Sequence, residues 1–96
     1  TFTLAAAIAG SEEKARAAVQ LGAEFDHNYS HTSRALYTVA AAIAGDEEKA
    51  RAAYALGQEF DGNYSTDSRA RFTIAAAAAL NPANARFAAI FPKDED

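Results

Sequence analysis

Displacing the chain by 35 residues lays it upon itself. Residues 2–36 and 37–71 agree at 25 of 35 positions, and a third copy begins at Phe72 and decays after Asn81. A period in the range of about 20–50 residues is the mark of a repeat architecture, in which each unit buries its apolar side against its neighbours. Any fold must therefore place equivalent residues of successive units in equivalent surroundings.

Alanine accounts for 27 of the 96 residues. It is the strongest helix former because ordering it loses no side-chain entropy. Strand-forming residues are few and scattered, so the chain reads as all-α. With few large apolar side chains, stability has to come from close backbone approach and many thin contacts.

Each unit reads as two helices. Ser11, Asp46 and Asn81 hold equivalent positions, and each is a strong N-cap whose side chain can accept from a first-turn N–H. Glu12, Glu13, Glu47 and Glu48 follow at the positive end of the helix dipole. Pro82 stands just after its cap, where its missing N–H costs nothing. This first helix is expected to run to about Phe25 and Phe60. A second helix is expected from Thr32 or Ser33, and again from Asp67 or Ser68. The earlier of the two ends at Ala44, with Gly45 as a left-handed C-cap. Phe2 to Ala9 corresponds to the end of such a second helix. The phrases FDHNYS (Phe25–Ser30) and FDGNYS (Phe60–Ser65) then fall between the helices of a unit. Their Asp, Asn, Gly and Ser are turn residues, which makes the phrase a joint. Tyr29 and Tyr64 are expected to fold back over the helix pair.

The unit Ala53 to Pro82 resembles a tetratricopeptide repeat or the related Sel1-like repeat. The resemblance rests on Leu56-Gly57, Phe60, Gly62-Asn63-Tyr64, Ala70, Ile74, Ala77 and Pro82. In the first copy it rests on Leu21-Gly22, Phe25, Asn28-Tyr29, Ala35, Val39 and Ala42. Against the family pattern, the period is one residue longer and His27 replaces the turn glycine. Ala18 and Ala53 replace an early aromatic, and Phe91-Pro92 stands where Leu-Gly belongs. The resemblance implies antiparallel helix hairpins stacked as a short right-handed α-solenoid. Its units are repeats 2–36 and 37–71, a partial capping repeat 72–92 and an acidic tail 93–96, all in one domain spanning 1–96.

The copies differ on one face of the first helix, at Val19/Tyr54, Gln20/Ala55 and Ala23/Gln58, with His27/Gly62 just beyond. Arg16 and Arg51 share that face at about 100° per residue. Ala18, Leu21, Gly22 and Phe25 form the opposite, constant face. In tetratricopeptide-like arrays the varying face lines a concave peptide groove. The resemblance therefore implies a partner-binding surface of Arg16, Val19, Gln20, Ala23, Arg51, Tyr54, Ala55 and Gln58. Tyr54 is its expected anchor and Arg51 its carboxylate clamp. On this reading Tyr54→Ala should abolish capture and leave the melt nearly unchanged. The alternative is neutral drift of exposed positions after duplication.

Other constellations carry less. His27 and His31 have helical ligand spacing with only Asp26 nearby, short of a zinc set. Asn28-Tyr29-Ser30 and Asn63-Tyr64-Ser65 fit the glycosylation pattern but are accounted for as turns. Glu12/Arg16 and Glu47/Arg51 are i,i+4 pairs worth about 0.3–0.5 kcal/mol. With no Ser–His–acid set, phosphate loop or paired buried carboxylates, the sequence points away from an enzyme and calls for no cofactor or metal. A net charge of −4 disfavours nucleic acid and anionic membrane. No apolar run is long enough to cross a bilayer. TFTLAAAIAG resembles a secretory core, but its recurrence as YTVAAAIAG argues for a repeat unit instead.

Two functions follow as expectations. One is a protein–protein interaction scaffold for a peptide or partner segment. The other is a structural, self-assembling repeat protein, of natural or designed origin, that forms a homo-oligomer without a ligand. Phe2, Leu4 and Ile8 lie on a second helix without its own first helix, so they are expected to face water and to be covered by the rest of a longer array, by a partner or by a second copy, of which a homodimer is the commonest closed form.

Overall fold

A computed structural model describes residues 2–26, 31–61 and 66–91. Residues 27–30 and 62–65 of the expected joints, with Tyr29, Tyr64, His27 and both glycosylation patterns, lie outside the described residues, as does the acidic tail.

The described chain is all-helical: α1 (Phe2–Ala9), α2 (Glu12–Asp26), α3 (His31–Ala44), α4 (Glu47–Asp61), α5 (Thr66–Leu80) and a 3-10 helix (Pro82–Ile90). The starts of α2 and α4 follow from their caps. The Lys14 amide donates to Ser11 Oγ at 3.2 Å, and the Lys49 amide to Asp46 Oδ1 at 2.8 Å. The ends of α1 and α3 follow from glycine. Gly10 and Gly45 take φ of 86° and 92°, a region that costs a side-chain-bearing residue roughly 1–2 kcal/mol.

Helix α3 is the centre of the molecule. Ser33 and Ala35–Ala44, 11 of its 14 residues, are buried. It packs against α1, α2, α4, α5 and the 3-10 helix. A helix enclosed on all sides has to be apolar all round, and the run ALYTVAAAIA meets that demand with small residues. Its one buried threonine, Thr38, turns its hydroxyl back to the Arg34 carbonyl at 2.8 Å, so no polar group is left wanting.

The α2–α3 pair is antiparallel. Asp26 meets Ser33 at the closed end, and Gly22 meets Thr38 further along. A Cβ on Gly22 would lie 2.8 Å from the Thr38 backbone nitrogen and 2.9 Å from its Cα. Gly57 stands over Thr73 in the same way, with a Cβ falling 2.9 Å from both atoms. Thr73 repeats the Thr38 hydrogen bond, donating to the Arg69 carbonyl at 2.9 Å. Each hydroxyl, bonded back to its own helix, is the atom that lies nearest the glycine, and the missing Cβ leaves room for it and for the backbone beneath it. The expected framework face of α2 is buried throughout: Ala18, Leu21, Gly22, Phe25.

The third copy departs from the first two. Asn81 makes no side-chain cap to its own helix, contrary to the sequence expectation. Its Nδ2 donates instead to the Ile43 and Ala44 carbonyls at 2.9 and 3.2 Å, and Asn84 Nδ2 reaches the Ile43 carbonyl at 3.1 Å. The two asparagines thus satisfy carbonyls at the end of α3 that have no partner within their own helix. With three residues per turn, a 3-10 helix aligns positions 81, 84 and 87 on one face. Phe87 accordingly packs on the core. Phe91, beyond the helix, lines a hollow shared with Phe2, Leu36 and Arg71.

The N-terminal helix is also more enclosed than expected. Ile8 is buried in the core, and Phe2 and Leu4 are half-buried. Phe2 tilts against the His31 ring with centroids 5.3 Å apart. The residues of α1 left open are Thr3, Ala6 and Ala7.

Gly22→Ala separates two opposing predictions. Helix propensity alone would stabilise the chain by up to about 1 kcal/mol. The close approach to the Thr38 backbone instead predicts a loss of about 1–3 kcal/mol. Urea unfolding should show the loss, and a midpoint at or above that of the parent chain would contradict the close-approach account.

Candidate functional site

The first helices of the two units, α2 and α4, carry the varied residues. They touch each other sparingly, and both pack on α3. Between them lies a cleft of 190 Å³. Ala17, Ala18, Leu21 and Ala41 give it an apolar lining, and Lys14, Gln20, Glu24, Asp46, Glu47 and Arg51 surround them. The cleft is smaller than the roughly 300–1,000 Å³ typical of a small-molecule pocket. It has room for one or two side chains of an extended segment.

Arg51 organises one wall. Its Nη1 donates to Glu24 Oε2 at 2.7 Å across the α2–α4 junction, and its Nε donates to Glu47 Oε2 at 2.9 Å within α4. Glu24 first and Glu47 second hold its pKa above the ordinary arginine value. The expected clamp is therefore engaged by two carboxylates of the chain itself. A ligand carboxylate would have to displace Glu24, whereas a cationic or amide group could join the existing carboxylates.

The expected anchor is engaged as well. Tyr54 stacks on Phe25, with centroids 4.4 Å apart and planes 11° from parallel, and lies 5.8 Å from Tyr37. Phe25 meets Tyr37 edge-on at 6.1 Å. Three aromatics from α2, α3 and α4 thus form one cluster, in which each such pair is worth about 0.5–1.5 kcal/mol beyond its buried area. Gln58 donates from Nε2 to the Tyr37 hydroxyl at 3.2 Å. Tyr54 and Gln58 hold α4 against its neighbours, so Tyr54→Ala will lower the melt, against the expectation drawn from the sequence.

The other expected contact residues separate by location. Gln20 and Arg51 line the cleft. Arg16, Val19 and Gln20 line a second, shallower hollow of 460 Å³ with Glu12 and Ala15. Ala23 and Ala55 are exposed. Comparing the copies missed Lys14, Ala17, Glu24, Asp46 and Glu47. Apart from Asp46, these residues have the same identity in both units, and a search for differences passes over constant residues.

Asp26 was also missed as a structural residue. It is 0% exposed; Ser33 Oγ donates to its Oδ1, and Arg34 Nε to its Oδ2 at 3.3 Å. The two partners satisfy both carboxylate oxygens and clasp α2 to the start of α3. The spacing recurs in the sequence as Asp61 and Ser68, and Ser68 is buried. His31 is exposed on α3. Among the described residues no three His, Cys, Asp or Glu side chains are placed to share a metal ion, and no helix is long and apolar enough to cross a membrane.

Comparison with protein-family models, with curated proteins and with solved structures gives no match.

Burial pushes the Tyr37 hydroxyl up from 10.0 to about 12. Its neutral form is favoured in the fold, so this contribution is intact below pH 10, where the unfolded phenol titrates, and is lost as pH rises towards 12. Phenolate absorbance should show a delayed phase that coincides with loss of helical circular dichroism. Tyr37→Phe should remove that phase. Full ionisation near pH 10 with the helices intact would contradict the burial account.

Proposed function

We propose that the chain is a protein–protein interaction scaffold that holds a peptide or partner segment against the first helices of its two repeats. The observation that carries this reading is the cleft between α2 and α4, whose apolar lining is surrounded by charged and amide side chains. Such a lining suits recognition of a segment by one small side chain seated on Ala17, Ala18 and Leu21, with a neighbouring polar group held among Gln20, Glu24 and Arg51.

The proposal includes the finer architecture: antiparallel helix hairpins of tetratricopeptide or Sel1-like type, stacked with a right-handed sense. Its support is the recurrence, one repeat apart, of Gly22 over Thr38 and Gly57 over Thr73. Equivalent caps at Ser11 and Asp46 add to it. The preferred segment carries a lysine, an arginine or an uncharged amide at the cleft, because Glu24, Asp46 and Glu47 surround Arg51 there.

Panning a displayed random-peptide library against the chain tests the proposal. Enriched peptides should carry basic or amide residues and should shift the amide resonances of Gln20, Glu24 and Arg51. Ala17→Trp, at an exposed position of the lining, should reduce their binding at least tenfold while leaving the melt in place. No enrichment, or binding unaffected by the tryptophan, would contradict it.

A further inference from the structure

The repeat carries an internal record of how one of its open faces is covered. Helix α2 docks on two elements at once. Its Gly22 sits over Thr38 of α3, its Glu24 pairs with Arg51 of α4 at 2.7 Å, and its Phe25 stacks on Tyr54 at 4.4 Å. One period earlier, Thr38, Arg51 and Tyr54 correspond to Thr3, Arg16 and Val19. These lie on α1 and α2, and all three are exposed. Thr3 and its neighbour Ala6 are open to solvent, whereas Thr38 and Ala41, their equivalents on α3, are buried.

The α2 half of this face is shaped to match. Val19 is 45% exposed, one of two large apolar side chains so placed among the described residues. It lines the 460 Å³ hollow with Ala15 and Arg16. Arg16 pairs with Glu12 at 2.5 Å, as Arg51 pairs with Glu47, and its side chain remains 75% exposed. Arg51 in the same setting takes a second carboxylate from the helix that docks beside it. Helix α1 thus offers a small-residue seat, and α2 offers a cation and an apolar side chain at the matching distance along the repeat.

We infer that the face formed by Thr3 and Ala6 of α1 with Arg16 and Val19 of α2 is a docking site for a single helix. The incoming helix has the chemistry of α2: a glycine at the crossing point, a glutamate two residues later and an aromatic residue next. Glycine permits backbone approach to the threonine seat, the glutamate meets Arg16, and the aromatic covers Val19. The inference uses residues separate from the Ala17 cleft wall and stands independently of the proposed cleft ligand.

The probe is a synthetic peptide with the sequence Ser11–Asp26, added to the isotope-labelled chain. An isolated helix of this length is marginal in water, so binding should be accompanied by a gain in peptide helicity. Saturable amide shifts are expected at Thr3, Ala6, Arg16 and Val19. Thr3→Arg in the chain should abolish them, as should Gly22→Val in the peptide, and Ala17→Trp in the chain should leave them. Should Thr3→Arg lower the melt, Ala6→Arg at the adjoining exposed site replaces it. Four results would each overturn the proposal: no saturable shift; shifts confined to the cleft residues Lys14 and Arg51; shifts at Thr38 and Thr73, marking exchange with the chain's own helices; or shifts at this face from raising chain concentration without peptide.

Discussion

The distance between paired helices is set where glycine meets threonine. At Gly22 and Gly57 the opposing backbone comes so near that a single methyl group would fall inside contact distance of Thr38 or Thr73. An alanine-rich chain needs this closeness. Dispersion falls steeply with separation, and a gap of about 0.5–1 Å forfeits a quarter to a half of each contact. Large side chains can bridge a wider spacing, but Ala35, Ala40, Ala41, Ala42 and Ala44 cannot. The threonine hydroxyls bond back to the Arg34 and Arg69 carbonyls, so they are satisfied where they face the glycines.

Around that spacing the remaining interactions take separate tasks. The cluster of Phe25, Tyr37 and Tyr54 ties the two hairpins together where α2 and α4 have little other contact. Asp26 clasps the closed end of the first hairpin through Ser33 and Arg34. Asn81 and Asn84 cover the last carbonyls of α3 from the third copy. Equivalent positions have diverged in role: Asp46 can only accept and caps its own helix, whereas Asn81 donates and caps another.

Much of the framework was legible from the residues. The period, the caps at Ser11 and Asp46, the left-handed Gly45 and the buried face of Ala18, Leu21, Gly22 and Phe25 follow from local chemistry that a sequence records directly. The candidate site was legible only in part. Tyr54 looked like a ligand anchor because it differs from Val19, yet its ring has Phe25 to stack on, and Val19 has no preceding unit among the described residues to meet. The difference between copies therefore follows what each side chain packs against: Phe25 for Tyr54, and largely solvent for Val19. Ile8 was expected in water because its own unit lacks a first helix, but α1 packs on both α2 and α3, and Ile8 is buried. Asn81 was read by its strongest local habit, and a tertiary acceptor at Ile43 outweighed that habit.

Every other helix rests on α3, which is held by the Gly22–Thr38 approach on one side and by the asparagine bonds at its end. Native-state hydrogen exchange measures this directly. The account predicts that amides from Tyr37 to Ile43 exchange only through global unfolding, with α1 and the 3-10 helix opening at lower free energy. Exchange of the α3 amides at the rate of those outer helices would contradict it.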